Sequence, residues 1–65
     1  MKNFHGYSNK TEYAISKLNM TTDDRNMRSE CDSIISAYTR MLPNGIDSMN
    51  KREIDAMIAE LAAYL

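Results

Sequence analysis

The sequence predicts a small all-α protein, a three-helix bundle with a short irregular N-terminal arm. Three observations carry this. Apolar residues recur at helical spacing in three stretches, each stretch opens with an Asn or Thr three residues ahead of an acid, and only two Gly and one Pro interrupt the chain. With 65 residues it falls short of an ordinary domain, and with 43% apolar and 26% charged residues it is too apolar to stay unfolded. It reads as one domain, with residues 1–8 as the arm and 9–65 as the bundle.

The first helix is expected over 9–19. Asn9 and Glu12 have capping-box spacing, in which the short side chain accepts from a free amide and the carboxylate reaches back. Tyr13 (or Ala14), Ile15 and Leu18 then supply a short apolar stripe.

The second helix is expected over 22–42. Thr21 and Asp24 stand at the same spacing, and Asp23 and Asp24 suit the positive end of the helix dipole. Met27, Cys31, Ile34, Tyr38 and Met41 follow at 4-3-4-3 spacing, widened by Ile35 and Leu42, so the methionines at 27 and 41 are expected in the core. Pro43 ends the segment by pushing its predecessor out of the helical region, and Asn44-Gly45 makes a turn.

The third helix, over 50–65, has the clearest start: Asn50 pairs with Glu53, while Met49 and Ile54 occupy the positions of a hydrophobic staple. Ile54, Met57, Ile58, Leu61, Tyr64 and Leu65 form a broad apolar face. Ala56, Ala59 and Ala63 line the far side, either as exposed helix formers or as a smooth oligomer face where a second helix approaches. A core this small rarely yields more than about 3–5 kcal/mol, so a homodimer or a tight partner would add needed burial. Met20 and Met49, at helix junctions, are the methionines expected at the surface.

Several function classes lose support from composition. One Cys and one His complete neither a disulfide nor a zinc site, and no metal or cofactor is expected. His5 has no acidic residue before Glu12, and Cys31 lies in an apolar stripe where packing outweighs reactivity, so an enzyme is not expected. No run approaches the roughly 18 apolar residues of a membrane span, and the opening residues lack the apolar stretch of a secretory signal, which implies a cytoplasmic protein. The net charge of −1 is not the basic balance of a nucleic-acid binder. A helix-turn-helix also fits poorly, because the 43–49 break is too long and Asp23 and Asp24 would face phosphates across the other. The alternative that survives is a small homodimeric DNA-binding regulator pooling Lys51 and Arg52.

The stretch Gly6-Tyr7-Ser8-Asn9-Lys10-Thr11-Glu12-Tyr13, followed by Thr21-Thr22-Asp23-Asp24, resembles small bacteriophage proteins of uncharacterised function. Those open with Gly-Tyr-x-Asn-x-x-Thr-Trp or a close variant, then an aromatic-rich short helix and an Asn/Asp-rich break. Gly6, Tyr7 and Asn9 match as they stand. Tyr13 replaces the tryptophan, Thr11-Glu12 reverses the usual order, and the helix's second aromatic is missing. Read physically, the motif is a structural device: Gly6 turns the chain, Tyr7 packs over the bundle end, Asn9 caps and Tyr13 anchors.

The resemblance implies a phage or mobile-element accessory protein in the host bacterial cytoplasm. The expected action is non-catalytic binding of a host protein or complex, inhibiting a defence system (restriction or CRISPR) or another host enzyme. Tyr7, Tyr13, Arg25, Arg28 and Asp32 are the expected contact residues.

Overall fold

In the computed structural model, which describes residues 3–65, the chain forms α1 (Lys10–Asn19), α2 (Arg25–Arg40), a short 3-10 turn (Ile46–Ser48) and α3 (Lys51–Ala62). The all-α three-helix architecture is as the sequence predicts. α1 is the shortest helix and the hub: it packs against both α2 and α3, which meet each other far less. Its Tyr13, Ala14 and Leu18 are buried with Cys31 and Ile35 of α2, Ile46 of the 3-10 turn, and Ile54, Met57 and Ile58 of α3.

Each helix start has its own cap. Asn9 accepts the Glu12 amide at 2.8 Å, so the asparagine half of the expected capping box is present and the reciprocal glutamate bond is not among the described contacts. At α2 the expected box is replaced. Asp24 is the cap, accepting the Asn26 and Met27 amides at 2.9 and 3.4 Å, while the Thr21 hydroxyl donates to the Leu18 carbonyl at 2.7 Å. Thr21 finishes α1 instead of starting α2, which moves the α2 start from 22 to Arg25. At α3 the box is complete: Asn50 accepts the Glu53 amide at 2.9 Å and the Glu53 carboxylate accepts the Asn50 amide at 3.1 Å.

Both long helices stop before the periodicity suggests. α2 ends at Arg40, with Met41 and Leu42 amides bonding three residues back to Tyr38 and Thr39. That tighter turn carries Met41 out of the core, leaving it 82% exposed against expectation. α3 ends at Ala62 with the same kind of bonds from Tyr64 and Leu65, so Tyr64 swings outward to 85% exposure. Along α2 the buried stripe is narrow, Cys31 and Ile35, with Met27, Ile34, Tyr38 and Leu42 half-buried at its edges. Met49, expected at the surface, packs against the core, whereas Met20 is 67% exposed as expected.

The arm is more ordered than the sequence suggests. Residues 4–7 make a tight turn in which the Tyr7 amide donates to the Phe4 carbonyl at 2.8 Å and the Phe4 amide returns the bond at 2.9 Å. Its central residues, His5 (φ 46°) and Gly6 (φ 91°), both have positive φ, the type I′ pattern of two-residue hairpins. The Gly6 role read from the sequence is therefore a backbone one. Gly45, at φ 66°, provides the matching reversal before the 3-10 turn.

Candidate functional site

Chemistry-bearing side chains converge where α1 and α3 begin. The Tyr13 hydroxyl donates to Asp55 Oδ1 at 2.6 Å, and Lys51 Nζ donates to Asp55 Oδ2 at 2.9 Å. The Lys51 and Lys17 ammoniums lie 6.0 and 5.7 Å from the Tyr13 ring centroid. The Tyr13 bond, and next the Lys51 bond, hold the Asp55 carboxyl below the ordinary carboxylate range. Burial, reinforced by Asp55, pushes the Tyr13 phenol up. Bonds to Asp55 and Tyr13 raise the Lys51 ammonium.

Aromatic rings close over this bridge. Phe4 and Tyr7 meet Tyr13 edge-on, at centroid distances of 5.1 and 5.4 Å and interplanar angles of 85° and 82°. His5 stands edge-on to Phe4 at 4.5 Å. Lys10 reaches away from α1 to donate to the Asp47 carbonyl at 2.9 Å and to the Met49 carbonyl, tying α1 to the connection that leads into α3.

Of the expected contact residues, two lie in this cluster and three on α2. Tyr13 is 2% exposed, so the sequence-based assignment of Tyr13 as a contact residue is corrected: its ring fills the core and its hydroxyl is held by Asp55. Tyr7 is half-buried, packed edge-on against Tyr13. Arg25, Arg28 and Asp32 are exposed on α2. Arg28 folds back over the helix entry, donating to the Thr22 carbonyl at 2.8 Å with Asp23 at 3.8 Å. Asp32 accepts the Ser36 hydroxyl at 3.4 Å. The five residues therefore do not form one patch. Ala56, Ala59 and Ala63 are all exposed along the outer side of α3, with Glu60 beside them.

The two residues weighed for reactivity occupy different settings. Cys31 is fully buried, its thiol faces the Met27 carbonyl at 3.3 Å, and burial pushes its pKa up. His5 is exposed in the turn. Among the described residues no group of three or more His, Cys, Asp or Glu side chains is arranged to hold a metal, and no enclosed pocket forms. None of the helices is long and apolar enough to cross a membrane among these residues.

Sequence reasoning missed the Tyr13–Asp55–Lys51 bridge. The four-residue step from Lys51 to Asp55 was a readable signal, but Tyr13 and Asp55 lie 42 residues apart and nothing local joins them. The exposed apolar side chains Met41 and Tyr64 were missed for a related reason, since each lies just past a helix end that periodicity alone does not locate. Comparison of the chain with protein-family models, curated proteins and solved structures finds no match.

Proposed function

We propose that the chain is a small phage or mobile-element accessory protein that acts by non-catalytic protein–protein binding. Its target on this reading is a host defence system (restriction or CRISPR) or another host enzyme, blocked by steric occlusion in the bacterial cytoplasm. The observation that carries the binding role is the exposure of three large apolar side chains, Met20 at 67%, Met41 at 82% and Tyr64 at 85%. Methionine and tyrosine are the residue types enriched at protein interfaces, one for its adaptable thioether and the other for a rigid face with a hydroxyl. A chain with so small a core gains from covering such groups. Arg25 and Asp32, exposed on α2, add polar contacts able to orient a partner. The phage origin rests on the opening motif around Gly6, Tyr7 and Asn9.

The test is affinity capture from lysate of infected bacteria with the tagged chain, alongside a Met41→Glu/Tyr64→Glu variant whose helical circular dichroism is unchanged. The proposal expects one host protein recovered at stoichiometric yield by the parent chain and lost from the variant. Repeated capture of nothing stoichiometric, or equal capture by both chains, counts against it. The DNA-binding alternative draws no support from Lys51, whose ammonium is engaged by Asp55.

A further inference from the structure

We infer that the N-terminal turn is a detachable cover over Tyr13, which lifts and closes while the three helices stay folded. This concerns a motion of the fold and does not depend on the protein-binding reading. Every backbone hydrogen bond described for residues 3–7 stays inside the segment: Asn3 and Phe4 donate to the Tyr7 carbonyl, and Tyr7 donates to Phe4. No described side-chain hydrogen bond ties residues 3–7 to the helices either. What holds the segment down is aromatic packing, with Phe4 and Tyr7 edge-on to Tyr13 and the Lys10 ammonium 5.7 Å from the Phe4 ring.

The layer beneath is held differently. Tyr13 is fixed from the far side by Asp55, and its helix is capped by Asn9, so both restraints survive removal of the turn. An isolated two-stranded hairpin is marginal at best in water, and this turn has a single bridge, so once off the ring it melts. Lifting it uncovers the Tyr13 ring, otherwise 2% exposed, with Lys17 and Lys51 alongside. An aromatic surface flanked by cations is then available only in the open form.

Two measurements on the full-length chain test this. The first is native-state amide exchange by NMR in increasing urea. The Phe4 and Tyr7 amides are expected to exchange at least about 10-fold faster than that of Ile35, with little dependence on urea, as local opening requires. Equal rates and equal urea slopes at all three would overturn the inference, because the turn would then open only when the whole chain unfolds. The second is Gly6→Val. A Cβ at Gly6 meets no atom within 4 Å, so the β carbon has room, and a side chain at φ 91° strains the turn's backbone. The expected result is unchanged helical circular dichroism, with the Phe4 and Tyr7 ring resonances moved to unstructured positions. Loss of helix in this variant would overturn the inference by making the turn part of the cooperative core.

Discussion

α1 has two seams, and they are held by different physics. Against α2 the seam is apolar: Cys31 and Ile35 are fully buried there, and among the described residues no side-chain hydrogen bond links α1 with α2. Against α3 the seam is apolar underneath, through Ile54, Met57 and Ile58, and polar at its edge, where Tyr13 bonds Asp55 and Lys10 bonds the carbonyls before Asn50. Packing is non-directional and tolerates small slides, whereas a hydroxyl–carboxylate bond fixes one register. α3 is therefore pinned on α1, while α2 is fitted to it by shape.

The largest loss is expected at Leu18, the residue buried nearest the end of α1. Leu18→Ala is expected to cost about 3 kcal/mol through lost transfer energy and a cavity, close to the whole stability of a chain this size. Urea unfolding followed by circular dichroism should find the variant marginal, with no more than about 2 kcal/mol of stability left. A smaller effect separates the seams. Tyr13→Phe keeps the ring and removes only the hydroxyl, for an expected loss of about 1–2 kcal/mol as a bond to a charged acceptor disappears.

Caps come next. Asn50→Ala removes the anchor of the complete capping box at α3 and should cost about 1 kcal/mol, read as a lower unfolding midpoint. The pH dependence sharpens the contrast further. Asp55 has a folded pKa below its unfolded value of about 3.9, so its contribution is complete above that value and is lost as pH falls through the folded pKa. Asp55→Asn should remove that part of the acid sensitivity in a pH series of thermal melts, while Cys31→Ala on the α2 seam leaves it in place. The smallest effect belongs to Arg28→Ala. Its contact with exposed Asp23 is 3.8 Å, and stability should change by no more than about 0.5 kcal/mol.

Legibility in the sequence followed the range of the interactions. The three helices, the Asn50–Glu53 box and the burial of Leu18, Ile54 and Met57 were readable because spacing and capping are local. The ends of α2 and α3 were not, since periodicity continues on paper past the point where the chain tightens into three-residue bonds; Met41, expected in the core, and Tyr64, expected on the apolar face of the third helix, are both exposed as a result. The Thr21 hydroxyl was claimed by the wrong helix because it sits between two ends that both need partners. The turn at residues 4–7 was read as irregular, although His5-Gly6 supplies a glycine and a residue type tolerant of positive φ. The Tyr13–Asp55 bridge was out of reach, because only the packed fold brings residues from the first and last helices together.

The Tyr13–Asp55 bond is the contact that makes the α3 seam differ from the α2 seam. A double-mutant cycle on Tyr13→Phe and Asp55→Ala, measured by urea unfolding at neutral pH, is predicted to give a coupling energy of about 1 kcal/mol, with Tyr13→Phe and Arg28→Ala additive as the control. Additivity of Tyr13 and Asp55 to within about 0.3 kcal/mol would mean that packing alone seats α3 on α1, and that the two seams do not differ in kind.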